Sequence, residues 1–244
     1  GCNAQGQSAT AVGPDAGKHA QGGYATALGY RAGSNAQGVN AVAVGNQAGM
    51  NAQGDNAVAI GFVAGCNAQG DADVAIGPYA GRQNQGTQCV AVGNSAGHTS
   101  QGIECTAVGY TAGSANQIQY ATAVGWESGR YAQKAGATAV GWRTGRDRQE
   151  CYSTAIGWGS GSFLCGCYST SVGHRAGCDD TGRFAANLGH EAGKTRAGVG
   201  SVNLGASACA NSGTVRHHSI VINGTTSSLD PNQASRLFIK PIRV

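Results

Sequence analysis

Asn56-Ala57-Val58-Ala59-Ile60-Gly61-Phe62-Val63-Ala64-Gly65-Cys66-Asn67-Ala68-Gln69-Gly70-Asp71 is one unit of a repeat that fills most of the chain. The glycine after its aliphatic residue recurs at positions 13, 29, 45, 61, 77, 93, 109, 125, 141, 157, 173, 189 and 205, always sixteen residues on, with no insertion or deletion. A second glycine follows four residues later, from Gly17 to Gly193, and gives way only to Cys209. A glutamine column runs through Gln5, Gln21, Gln37, Gln53, Gln69, Gln85, Gln101, Gln117, Gln133 and Gln149. A fixed period of this length marks an architecture in which each unit buries its surface against its neighbours.

Within a unit, an aliphatic column (Val12, Leu28, Val44, Ile60, Ile76, Val92, Val108) stands two residues after a Thr/Val column, with alanine between them. Period-two alternation over a short β-branched run reads as a strand. The glycine that follows ends it and permits a turn. Helix is disfavoured, because each of the unit's glycines would cost about 1 kcal/mol. Stacked in register, one such strand per turn predicts an all-β, parallel β-solenoid of thirteen sixteen-residue turns over residues 1–216. At about 4.8 Å per turn that makes a rod of roughly 60 Å. The period ends near residue 217, and residues 217–244 read as a short β tail that caps a trimer. The reading places the aliphatic column inside and lets the glutamines pair amide to amide between turns.

Such a core is thin, and about 25 cal/mol per Å² of buried apolar surface leaves a lone chain marginal. The small residue on the opposite strand face therefore suggests a homotrimer. Its interface would hold Ala11, Ala27, Ala43, Ala59, Ala75, Ala91, Ala107, Ala123, Ala139 and Ala155, then Asn187 and Asn203 where the column turns polar. With Ser171, those asparagines would ring the trimer axis.

Composition narrows the function. The 244 residues include 42 glycines and only 11% charged residues. Glycine in a strict sixteen-residue period indicates neither a linker nor collagen. The net charge is +4, and of the Lys and Arg residues only Lys18 and Arg31 precede residue 82. That basic part reads as a solvated face, so no nucleic-acid partner is expected. No window reaches the length of apolar residues that spans a membrane, so no membrane insertion is expected. The chain opens Gly1-Cys2-Asn3 without Met, so residue 1 is not expected to be a translation start.

Cys89 and Cys105 are sixteen residues apart, as are Cys151 and Cys167, so each pair stacks on adjacent turns. The spacing suits intramolecular disulfides Cys89–Cys105 and Cys151–Cys167, and equally buried thiols or cross-chain bonds. No CxxC pair supports zinc. His174 and His190 share a column and His217 adjoins His218, but no acid or cysteine joins the two imidazoles in that column, so neither metal nor cofactor is expected. The column after the strand glycine collects all three tryptophans, Trp126, Trp142 and Trp158, with Arg130, Arg143, Arg146 and Arg148 near in sequence. Aromatic faces with arginine donors suit a host-surface glycan or protein, and a packed ladder is the competing reading. There is no nucleophile elbow, phosphate loop or paired carboxylate, so the chain is read as non-enzymatic.

Val58-Ala59-Ile60-Gly61 with Asn56 and Ala64, then Ala68-Gln69-Gly70, resembles the head repeat of trimeric autotransporter adhesins, the YadA-like left-handed β-roll. The resemblance covers roughly residues 1–210 and departs from the family in its uniform sixteen-residue unit, where the family uses about 14. It implies a left-handed, trimeric roll with Val58 and Ile60 inside each chain and Ala59 toward the partners. The tail, Ser219-Ile220-Val221-Ile222-Asn223, then Leu229-Asp230-Pro231 and Phe238-Ile239-Lys240-Pro241-Ile242-Arg243, is similar to the stretch before the endosialidase-type intramolecular chaperone of phage and large-virus fibres. No chaperone follows Val244, which fits a mature or truncated product. These readings predict an adhesive fibre or spike segment on a virion surface, extracellular, and bound to a host surface. The rivals are a cell-surface adhesin head and, on the column Thr106, Thr122, Thr138, Thr154 and Thr170, an ice-binding solenoid. That threonine column is expected to be buried.

Overall fold

The computed structural model describes residues 3–210, 217–225, 227–229 and 237–240. The chain divides into two compact units, Gly1–Ala121 and Thr122–Val244. Every regular element among the described residues is a β-strand, and the chain is a parallel β-solenoid.

In the first unit two series of three-residue strands alternate along the chain. One runs from Asn3–Gln5 to Ala115–Gln117 and forms an eight-stranded sheet. The other runs from Thr10–Val12 to Thr106–Val108. Each strand pairs in parallel with the strand one turn on, as in Val58↔Val74, Ala59↔Ala75 and Ile60↔Ile76. Two glycines in each turn are held by close contacts, and in the second column only Cys209 departs from glycine. Gly61 has φ +130°, and a Cβ there would stand 2.8 Å from the carbonyl oxygen of Gly77 one turn away. Gly65 has φ +52°, and its Cβ would meet Gln69 Oε1 at 2.5 Å and the Ala59 methyl at 3.1 Å. Three further residues of this turn, Asn56, Val63 and Ala68, hold φ between 53° and 57°, in the left-handed region.

The second unit holds strands from Thr122–Val124 to Val202–Gly205 in the same sixteen-residue register up to Leu188↔Leu204. Its other face is reduced to the strands Arg148–Gln149 and Leu164–Cys165 with isolated bridges such as Cys165↔Thr181. The tail strands Ile220–Asn223 and Leu237–Lys240 add to this sheet in parallel. Val202 pairs with Ile220 and Ile220 with Leu237, so the step lengthens beyond sixteen residues. Val221 is buried there, with Leu229 and Phe238 packed against its cluster. Asp230-Pro231 and Pro241-Ile242-Arg243 of the quoted tail lie outside the described residues.

The two strand faces are the reverse of the expectation. Ala27, Ala43, Ala59, Ala75, Ala91, Ala107, Ala123, Ala139 and Ala155 are each 0% exposed within their own chain, and Ala11 in the end turn is partly buried against them. In the first unit, Ala27 through Ala107 pack on the alanine column Ala16, Ala32, Ala48, Ala64, Ala80 and Ala96. An atom with no exposure in a single chain cannot form a contact between chains. The aliphatic column points outward instead: Val12 is 55% exposed, Leu28 45% and Ile60 38%. The reason is width. Gly65 and Ala59 already approach within one methyl contact, so the interior admits nothing larger than alanine at that level. The threonine column shares the outer face and is half-buried rather than buried.

The polar end of the alanine column is also internal. Ser171, Asn187 and Asn203 are 0% exposed. Asn203 Nδ2 donates to Asn187 Oδ1 at 2.7 Å, and Asn187 Nδ2 donates to Ser171 Oγ at 3.3 Å. They form a hydrogen-bonded ladder inside the unit and do not ring a trimer axis. The glutamines pair amide to amide only in part, Gln85 to Gln101 and Gln101 to Gln117 at 2.9 Å, and Gln133 to Gln149 at 3.1 Å. In earlier turns the amide reaches backbone instead: Gln53 Nε2 donates to Val42 O at 2.9 Å and Ala57 O at 3.3 Å.

Candidate functional site

The chemically richest surface lies in the second unit, where the solenoid aligns equivalent positions. Trp126, Trp142 and Trp158 stack with centroids 5.2 and 4.9 Å apart and planes within 6°. His174 and His190 continue the column at 4.7 and 4.9 Å. The ladder read from the sequence is therefore a five-ring stack. Its rings turn their faces to one another, and exposure comes at the edges.

The next residue of each turn takes a left-handed conformation, with φ 52° at both Glu127 and Arg143. That backbone brings Glu127 inward, where it is 6% exposed. Its carboxylate accepts from Arg130 Nη1 at 2.7 Å and from Arg143 Nε at 2.8 Å, with Arg146 Nε 3.6 Å away. The Arg143 guanidinium also lies over Trp142 at 4.7 Å and Trp126 at 5.3 Å. Three of the four arginines read beside the tryptophan column, Arg130, Arg143 and Arg146, are thus gathered on one carboxylate, and Arg143 joins them to the tryptophan stack. Charge is left over, since three guanidinium groups share one buried acid. A groove of about 360 Å³ opens beside them, lined by Trp142, Arg143, Arg146, Trp158, Phe163 and Arg175. Its arginine donors and ring edges suit an anionic or polar group at the surface. Arg148 stands apart, its Nε donating to Glu150 at 2.7 Å.

A second ladder escaped the sequence reading. Tyr152, Tyr168 and Phe184 stack at 5.5 and 5.4 Å with planes within 13°, and each is more than half exposed. Their spacing of sixteen was the available signal.

The cysteine pairs are not disulfides: Cys89, Cys105, Cys151 and Cys167 are all free thiols. Cys89 Sγ donates to Gly102 O at 2.7 Å and Cys105 Sγ to Ile118 O at 3.2 Å, so each thiol is aimed at a carbonyl. The neighbouring Cys105 thiol and then burial hold Cys89 above the ordinary thiol range, and burial raises Cys165. Burial, reinforced by Asp179, lifts Cys178 to about 11. Of the other histidines, His217 Nδ1 accepts the Val199 N–H at 3.1 Å. Among the described residues no helix is long and apolar enough to cross a membrane.

The family model for the YadA head domain repeat, in two copies, matches residues 4–32, 20–48 and 36–64. Residues 4–64 therefore carry YadA head repeats, and the later turns continue the same sixteen-residue register. The repeats suggest a structural, adhesin-like head with a surface-exposed, extracellular place. No curated protein matches the chain.

Proposed function

We propose that the chain is a homotrimeric, non-enzymatic head segment of an adhesive fibre, exposed at a surface and bound to a host-surface glycan or protein. One observation carries the trimer: the outward aliphatic column. In the first unit it runs Val12, Leu28, Val44, Ile60, Ile76, Val92, Val108; in the second, Val124, Val140, Ile156, Val172, Leu188, Leu204. A stripe of Val, Ile and Leu beside a threonine and valine row is the kind of patch that association covers. The likeness to YadA head repeats supports three copies around it.

Light scattering tests this. The native particle should weigh about three times the 24.3 kDa chain, with and without reductant. Ile60→Asp with Ile76→Asp should reduce it to one chain while leaving the alanine interior intact. A wild-type mass of one chain would overturn the trimer, and thermal hysteresis would then decide for the ice-binding reading of the outward threonines.

For the setting, the tail from Ser219 to Asn223 favours a viral fibre or spike, because of its likeness to segments that precede a trimerising chaperone. The repeats alone suit a cell-surface adhesin equally. The full-length gene separates them: a C-terminal chaperone supports the virus, and a coiled coil with a membrane barrel supports the adhesin. The receptor surface is proposed at the groove of Trp142, Trp158, Arg143 and Arg146, with Trp126 and Arg130 holding its wall. Arg146→Ala should weaken attachment to host cells without changing the particle mass.

A further inference from the structure

We propose that His174, His190 and Glu191 form a surface site for a divalent transition-metal ion, a site that neither the fold nor the adhesive reading requires. One ligand atom from each lies within 4.8 Å of the others. The two imidazoles come from adjacent turns and are stacked 4.9 Å apart with planes 6° from parallel. Glu191 belongs to the neighbouring column, which is why the sequence offered two histidines without an acid. Its backbone is left-handed, φ 55°, and this brings the carboxylate alongside the imidazoles.

The donors are available. Neither imidazole ring makes a hydrogen bond among the described residues. A neutral imidazole offers one nitrogen lone pair to a metal ion. The Glu191 carboxylate accepts a hydrogen bond from Lys194 Nζ. Lys194 at 2.9 Å and Arg175 at 3.6 Å both meet Oε1, which leaves Oε2 without a partner among the described residues. Two imidazoles and one carboxylate are the donor set of many three-ligand zinc sites, with metal–ligand distances of about 2.0–2.2 Å. Around such an ion the ligand atoms stand roughly 3.4 Å apart in tetrahedral geometry, so the set must close by about an ångström. Small side-chain rotations at an exposed turn allow this. Imidazole favours zinc, copper or nickel over magnesium and calcium, and the fourth position would face solvent.

The experiment is calorimetric titration of Zn²⁺ into the full chain at pH 7.5. His174→Ala and His190→Ala should each weaken one binding event at least tenfold, and Glu191→Gln should weaken it several-fold. Lys194→Ala should tighten it, because the ammonium competes for the carboxylate. Circular dichroism would establish that each variant is folded. Wild-type-like binding in both histidine variants would place the ion elsewhere and overturn the site. Absence of any binding at millimolar zinc would do the same. Unchanged binding in Glu191→Gln would remove the carboxylate and sink the three-ligand assignment.

Discussion

The carboxylate of Asp73 accepts the backbone N–H of Cys89 from the next turn at 2.7 Å, through Oδ1. Its other oxygen accepts the Gly70 N–H, also at 2.7 Å. Asp73 is completely buried in a column that holds alanine at Ala57 and cysteine at Cys89. In the adjoining sheet only Gln83 pairs with Asn67, while neighbouring turns pair at two positions. Burial outweighs both hydrogen bonds and raises the carboxyl to about 6.

A pH dependence follows. The folded chain holds this proton more tightly than the unfolded chain, whose carboxyl titrates near the usual value of about 3.9. Stability from this group is therefore full below about pH 4, falls as pH rises, and is lost above about 6. The difference is at most ~3 kcal/mol, and less where water reaches the group. Asp73→Ala should stabilise the chain at pH 7.5 and flatten the wild-type fall between pH 4 and 7 in urea titrations. A variant with the same pH profile as wild type would contradict the assignment.

The inverted strand faces make an opposite pair of expectations for adjacent residues. Ala59→Leu adds three carbons where the Gly65 backbone leaves no space, so it should cost about 3 kcal/mol or more, or prevent folding. Ile60→Ala should leave the single chain's secondary structure unchanged and weaken self-association. If Ile60→Ala unfolded the chain while Ala59→Leu were tolerated, the faces would be the other way round.

Trp142 is the middle ring of its stack and lies under Arg143. Trp142→Ala should lower stability by roughly 1–3 kcal/mol, the worth of two ring pairs and a cation–π contact. Trp158→His should cost less, because an imidazole already serves this column at His174. Denaturant midpoints of the two variants make the comparison.

Thiol labelling should follow burial. Cys151 and Cys167 are half-buried and should react with iodoacetamide in the native state, while Cys89, Cys105 and Cys165 should react only after unfolding. Peptide mass spectrometry reads each site. A loss of two hydrogens that reductant reverses is not expected at any pair, and native labelling of Cys165 would contradict its placement in the interior.

The solenoid was legible because its signal is repetition: Val58-Ala59-Ile60-Gly61 recurs with nothing inserted, and stacking in register follows. Alternation shows that a strand has two faces and is silent on which is inside. The usual rule that the larger apolar residues are buried points to Val58 and Ile60. It fails here because the cross-section is narrower than those side chains require. Ala68 hides a different feature, since alanine gives no sign of the left-handed backbone it adopts at φ 53°. The tryptophan column was legible once turns were aligned, but its buried partner Glu127 was not, because the hydrogen bonds that gather three arginines depend on turn geometry. Glu191 was missed for the same reason.

The glycine columns bear on how such a chain can change over generations. Gly61 sits backbone to backbone on Gly77, and the same contact repeats from Gly13 to Gly93 in the first unit and from Gly125 to Gly189 in the second. A one-residue slip would set a side chain against this seam and put every later turn out of phase. Length is then inherited in whole sixteen-codon steps, by duplication or loss of complete turns, while the residues at the outward corners remain free to diversify one at a time.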